Sequence, residues 1–171
     1  QEPLPLSILV EVIGSYGVHA MTYRLADVLE ALAAQRARSS ARGSADLLER
    51  VRAKAHLELA KIGSRVAIQD LREALGNGHR RAEMEMVAAV ALIGKRDELL
   101  DLMRAWRNED AFMRNRIADA VRSVMRRERI RRNSVALRSL GEEHRATLMK
   151  ILDQRATPRA ARKRPGRSKA R

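Results

Sequence analysis

Apolar residues recur along most of the chain at the three- and four-residue spacing of a helix that is buried on one side. In the segment 19–35 they are Leu25, Val28, Leu29 and Leu32. The same pattern predicts further helices over 45–62, 66–75, 80–93, 96–106, 111–125, 128–140 and 142–155. No segment alternates apolar and polar residues with a period of two, so the sequence predicts an all-α chain without a sheet.

A longer period of about 31 residues, which we call the long period, is superimposed on the helical one. Five apolar series follow it, one of them through Leu75, Trp106 and Leu137. The two longest are Ala55, Met86, Ile117 and Leu148, and Leu59, Val90, Val121 and Leu152. Gly63 recurs at the same step as Gly94, each directly after an isoleucine, and we expect Gly63 to end its helix in the left-handed conformation. A period of about 20 to 50 residues is typical of solenoids, in which each unit stacks on the next.

These units resemble HEAT repeats, most closely the short bacterial type named after phycobilisome lyases. The resemblance rests on VRAKAHLELAKIGSRVAIQDLREALGNG at 51–78 and a weaker echo, VAAVALIGKRDELLDLMRAW, at 87–106. It covers about 45–155 and implies a right-handed superhelix of stacked antiparallel helix pairs, an α-solenoid. Scaffolds, lyase subunits and nucleic-acid enzymes all occur in this family, so the resemblance implies no single function.

Composition shifts divide the chain into four parts. Residues 1–35 are predicted to form N-terminal capping helices, and 36–45, rich in small and polar residues, a flexible connection. The repeats occupy 46–155. The segment 156–171 has almost no apolar residue larger than alanine, so we expect a disordered basic tail.

The positive charge is concentrated in two places. The whole chain carries +14, but residues 1–121 are nearly neutral at +1. Residues 122–138 carry +6 and residues 155–171 carry +8. A partner would therefore encounter two basic patches on an otherwise balanced protein.

The candidate binding residues lie in these two patches. Arg122, Arg126 and Arg129 would share one face of a continuous helix, and like charges at that spacing repel unless an acidic partner offsets them. The other interpretation is a solvated arginine face. In the repeats the candidates are Arg122, Arg126, Arg129, Arg131, Arg132 and Arg138. In the tail they are Arg159, Arg162, Lys163, Arg164, Arg167, Lys169 and Arg171.

The sequence offers little catalytic chemistry. It contains no cysteine, which excludes disulfides and thiolate metal sites. His79 and Glu83 could share a helix face, but one such pair does not make a metal site, and we predict no metal and no cofactor. Trp106, Arg107 and Asp110 are residue types used by HEAT-like DNA glycosylases, yet Trp106 occupies an interior position of the long period. We therefore predict a protein that is not an enzyme.

The predicted function is a scaffold or adaptor that presents a helical surface to a protein partner. The alternative is sequence-independent binding to the phosphates of nucleic acids, through the arginine-rich helix pair and the tail. An anionic membrane surface is a further possible partner of the tail. No apolar run reaches the length of a membrane span, and we expect a cytoplasmic protein.

Overall fold

Seven α-helices make up most of the part of the chain that the structure describes. The computed structural model describes residues 19–38, 42–76, 81–138 and 140–153. The helices are α1 (His19–Arg38), α2 (Arg42–Lys61), α3 (Ile68–Gly76), α4 (Met84–Ile93), α5 (Glu98–Arg107), α6 (Ala111–Arg127) and α7 (Glu142–Asp153). One turn of 3₁₀-helix, Val135–Leu137, precedes α7, and the described ranges contain no strand. The all-α prediction is confirmed for these residues.

Helices that are two apart in the chain pack side by side. α4 lies between α2 and α6, and α3 packs against α5. α1 packs against α2, while α7 contacts both α5 and α6. Arg127 at the end of α6 donates hydrogen bonds to carbonyls at the end of α4, so these two helices run in the same direction.

The core follows the long period. Ala55, Met86, Ile117 and Leu148 are each at most 2 % exposed, and they lie on α2, α4, α6 and α7. The second series is equally buried at its first three positions. Equivalent positions of successive units therefore point into the core, as the spacing predicts.

The end of α2 has the predicted glycine geometry. Gly63 has a φ of +75°, a conformation that costs a glycine little. The amide of Ser64 donates to the carbonyl of Leu59 at 2.9 Å, and the amide of Gly63 to that of Ala60 at 3.0 Å. These bonds satisfy the last carbonyls of the helix.

The helix predicted over 128–140 is wrong. α6 ends at Arg127, and Arg129 has a φ of 54°, which leaves the helical path although it is not a glycine. The amide of Ile130 then donates to the carbonyl of Met125 at 2.8 Å and closes the helix end. Ile130, Leu137 and Leu140 still pack against the core, but the described chain between them is irregular apart from the single 3₁₀ turn.

Three predicted segments fall wholly or partly outside the described residues. α1 extends to Arg38 and α2 starts at Arg42, so both helices enter the predicted connection at 36–45 and leave 39–41 outside. Residues 1–18, the first part of the predicted capping helices, also lie outside. The same holds for 154–171, which contains the whole predicted basic tail.

Candidate partner-binding surface

A buried ion-pair cluster joins α2 to α3. Asp70, in the first turn of α3, accepts hydrogen bonds from Arg52 Nε at 2.9 Å and His56 Nε2 at 2.7 Å. Burial by itself would raise the pKa of Asp70, but the hydrogen bonds from His56 and Arg52 outweigh it and lower the pKa to about 2. His56 is only 2 % exposed. The cluster therefore holds an ionised carboxylate between two helices.

A second carboxylate cluster links α3 to α5. Asp101, which the long period relates to Asp70, accepts hydrogen bonds from Arg72 Nε at 3.1 Å and Arg104 Nη1 at 3.4 Å. Burial raises the pKa of Asp101, and the two arginines oppose this only in part. Asp70 and Asp101 thus occupy equivalent positions of the long period, and each accepts hydrogen bonds from an arginine of a neighbouring helix.

Two arginines bind the C-terminal end of α4 from opposite neighbours. Arg127, from α6, donates through Nη1 to the carbonyls of Ala91 and Leu92, both at 2.8 Å. Arg65, from the turn after α2, donates to the carbonyl of Ile93. These carbonyls have no partner within the helix, and a cation there also complements the helix dipole.

Other helix ends are bound in the same way. Arg114 donates to the carbonyls of Trp106 and Arg107, at the end of α5, at 3.2 and 3.0 Å. Arg122 donates to the carbonyl of Ile151 near the end of α7 at 3.1 Å. Much of the arginine in the folded part therefore has a structural role, which charge counting could not reveal.

The predicted candidates of the folded part divide into two groups. Arg122 is half-buried and also donates to Asp119 Oδ1 at 2.9 Å, so it belongs to the packing of α6 and α7. Arg132 forms an ion pair with Asp153 of α7. The exposed remainder extends from the last turn of α6 to the residue after the 3₁₀ turn, and consists of Arg126, Arg129, Arg131 and Arg138.

The prediction that Arg122, Arg126 and Arg129 share one helix face is wrong for Arg129. Arg122 and Arg126 lie on α6, but Arg129 follows the end of the helix in the left-handed conformation. The basic group is therefore spread over a helix end and a turn. The seven candidates of the tail lie outside the described residues, namely Arg159, Arg162, Lys163, Arg164, Arg167, Lys169 and Arg171.

The outer side of α4 is exposed and apolar, a feature that the sequence interpretation missed. Met84 is 44 % and Leu92 49 % exposed, and the partly exposed Ala88 lies between them at the four-residue spacing of one helix side. The opposite side of α4 is buried at Met86 and Val90, among others. The sequence does contain an indication of this feature, because the residues of α4 are apolar on nearly all sides of the helix. When such a helix lies at the surface of a small protein, one apolar side is exposed to solvent.

The residues considered for base-excision chemistry have structural partners. Trp106 packs against the core, and the guanidinium of Arg114 lies 4.9 Å from its ring centroid. Asp110 caps α6 by accepting a hydrogen bond from the amide of Met113 at 2.9 Å. Arg107 forms an ion pair with Glu143 at 2.5 Å. These contacts do not assemble the three side chains into an open site.

Potential metal ligands are scattered. Among the described residues, no group of three or more histidine, aspartate and glutamate side chains has a geometry that could hold a metal ion. Of the pair that the sequence suggests, Glu83 is described, whereas His79 lies outside the described residues.

One open cleft of about 420 Å³ lies where α1 begins and α2 ends. Its lining consists of Thr22, Tyr23, Ile62, Gly63, Ser64 and Val66. Its described lining supplies the hydroxyl groups of Thr22, Tyr23 and Ser64 together with apolar contacts.

No protein-family model, curated protein or solved structure matches this chain. Within the described ranges, no helix has both the length and the apolar character needed to cross a bilayer.

Proposed function

We propose that this protein is a non-enzymatic scaffold or adaptor that presents a helical surface to a protein partner. The observation that carries the proposal is the uncovered apolar side of α4, the helix that lies between α2 and α6. Contiguous exposed apolar surface is costly in water and marks interaction sites more often than single exposed residues do. Such a surface needs no catalytic group.

The proposed architecture is a HEAT-like α-solenoid with a right-handed superhelix. Support comes from the packing of α2, α4 and α6 side by side and from core positions that repeat with the long period. In a solenoid each unit contacts its neighbours and the stack offers an extended face to partners.

The test of the scaffold function is affinity capture with the full chain as bait. Extract of the source cells is divided, and one half is treated with nuclease before capture. A scaffold retains the same protein in both halves, at stoichiometric yield and at about 0.5 M salt, where exposed charges are largely screened. Retention that disappears with nuclease, or no retained protein at all, contradicts the proposal.

A second candidate function is binding to the phosphates of nucleic acids. It is favoured by the exposed group Arg126, Arg129, Arg131 and Arg138 and by the +8 charge of residues 155–171. Aromatic residues make up only 2 % of the chain, so base stacking would contribute little and no sequence preference is expected.

Fluorescence anisotropy with labelled duplex DNA and RNA tests this second candidate. We expect affinity that falls steeply between low and near-physiological salt and weakens further when 155–171 are deleted. Lack of binding to either nucleic acid at low salt contradicts it.

A further inference from the structure

The outer side of α4 forms a defined strip. We use the name outer strip for the residues Met84, Glu85, Ala88, Ala91, Leu92 and Lys95. Met84 and Leu92 are the exposed apolar ends, and only the methyl groups of two alanines lie between them. At 1.5 Å per residue, Met84 to Leu92 spans about 12 Å, or a little over two helical turns. Another helix can approach the alanine backbone closely along this length.

One end of the outer strip is positively charged. Lys95 follows α4, and Arg126 occupies the equivalent position of the next unit, in the last turn of α6; both are exposed. The hydrogen bonds of Arg127 hold these two helix ends together. Lys61 at the end of α2 is also exposed, although it bonds Glu58 on its own helix at 2.6 Å.

The other end of the strip carries carboxylates. Glu85 lies in the first turn of α4, directly after the N-cap residue Glu83 and Met84. Burial raises the pKa of Glu83, and repulsion from Glu85 raises it further. Arg50 and the exposed Arg81 partly offset these carboxylates, whereas at the other end Lys95 and Arg126 outnumber the exposed Asp97. Acidic groups of a partner are therefore attracted more strongly to the Lys95 end than to the Glu85 end.

Building on the proposed scaffold function, we infer that the outer strip binds one amphipathic helix of a partner protein, whose acidic first turn lies over Lys95 and Arg126. The partner helix places an apolar side chain near Met84, one over Ala88 and one near Leu92. Acidic residues are favoured in the first turn of a helix because they complement its dipole. The partner helix therefore runs antiparallel to α4.

Synthetic helical peptides test the chemistry of the partner. The first probe is a fluorescent peptide of about sixteen residues with leucine at every fourth position on one side and glutamate in its first turn. We expect it to bind the full chain, with affinity lowered at least tenfold when the leucines become serine. Replacing the glutamates by glutamine should weaken binding several-fold at low salt. Equal binding of all three peptides overturns the inference.

The variant Leu92→Glu tests the location. It places a charge on the strip at a position that is already half exposed, so the fold is retained, and we expect at least a tenfold loss of affinity for the first peptide. Val135→Glu is the matched control, because Val135 is an aliphatic residue 71 % exposed on the 3₁₀ turn. Equal loss of affinity in both variants, or in neither, overturns the inference.

Energy transfer tests the orientation. The chain has no cysteine, so Asp97→Cys and Arg81→Cys each provide a single labelling position, at exposed residues beyond opposite ends of α4. An antiparallel peptide with a dye at its N-terminus gives stronger transfer to the label at 97 than to the label at 81. A dye at the C-terminus gives the reverse order. A parallel order overturns the proposed orientation.

The outcomes separate this inference from the scaffold proposal. If the captured protein is retained equally by the Leu92→Glu chain, the outer strip is not the docking site, although the scaffold function stands. If no protein is captured, both fail. If sedimentation shows a dimer that Leu92→Glu abolishes and no peptide binds, a second copy of this chain covers the strip, and the inference is wrong.

Discussion

Individual ionised side chains are held in this protein by neighbours from another helix. Asp70 is the clearest case, since it bonds both Arg52 and His56 across the contact of α2 and α3. A carboxylate with two such donors is stabilised in its charged form, and the lowered pKa is the result. The contribution of this residue to stability must therefore depend on pH.

The Asp70→Asn variant measures that dependence. Because the pKa of Asp70 falls from 3.8 to about 2 on folding, its ionised form stabilises the fold above about pH 4, and this contribution is lost as the pH falls towards 2. Near pH 6 we expect the unfolding free energy of the variant to be about 1 to 2 kcal/mol below that of the parent protein. Near pH 2 we expect this difference between variant and parent to be smaller by about 1 to 2 kcal/mol. Urea denaturation followed by circular dichroism gives both values.

The exposed Asp27 supplies the control for this measurement. Asp27→Asn removes a carboxylate from the surface of α1 and should change the unfolding free energy by less than about 0.5 kcal/mol at either pH. A cost of Asp70→Asn that is the same at both pH values contradicts the role given to the ion-pair cluster.

At the level of single elements, the end of α4 is bound by two arginines from different units of the chain. Arg65 reaches it from the unit before and Arg127 from the unit after. Each replaces a hydrogen bond that the helix cannot make to itself. The neighbouring Arg126 has the same charge and is exposed, as Arg127 is, but its side chain donates no hydrogen bond to a helix end within the described ranges, which provides a matched comparison.

We expect Arg127→Ala to lower the unfolding free energy by about 1 to 2 kcal/mol, because it leaves carbonyls at the end of α4 without their donor. Arg126→Ala removes the same charge and should cost less than about 0.5 kcal/mol. Thermal and urea unfolding of the two variants side by side check this. Equal losses would show that total charge, and not the helix end, is what matters.

Element boundaries show what the sequence could and could not predict. Apolar spacing placed each of the described helices within a few residues, and the long period placed their buried positions. The prediction of an additional helix at 128–140 was wrong because Arg129 adopts a left-handed backbone conformation. Arginine has no preference for that conformation, so the sequence does not indicate it. The partners of Arg65 and Arg127 are backbone carbonyls of a neighbouring unit. Because every residue has a backbone carbonyl, the sequence does not indicate which of them accepts a hydrogen bond.

The exposed strip on α4 was predictable in part. Glu85 is the single charged residue of α4, so the sequence indicates that this helix packs in an apolar environment. The spacing of its apolar residues does not show whether one side of the helix is exposed to solvent. Only the packing of α2 and α6 on either side shows which residues the neighbours cover.

At the scale of the whole molecule, the core has two parts. The smaller cluster joins α1 to α2 through residues such as Leu25, Leu29 and Leu59. The larger cluster extends from α2 through α4 and α6 to α7. Within the described ranges α1 packs mainly against α2, whereas α4 is supported by α2 on one side and α6 on the other.

This asymmetry predicts uneven local stability. We expect amide protons of α1 to exchange at least about tenfold faster than those of α4 in hydrogen-exchange mass spectrometry, because α1 can open without disturbing the larger cluster. Leu29→Ala should lower protection in α1 further and leave α4 unchanged. Equal protection in both helices, lost together in the variant, would instead indicate a single cooperative unit.

The use of guanidinium groups at helix ends has a consequence for covalent modification. Of the 35 basic residues 29 are arginine, and several of these bond main-chain carbonyls in place of a helical partner. Acetylation of every lysine would leave those bonds intact. Conversion of arginine to citrulline, or its reaction with dicarbonyl compounds, would remove the charge or block the donors at the points where helices terminate. These helix-end contacts are therefore insensitive to one class of modifying agent and vulnerable to the other.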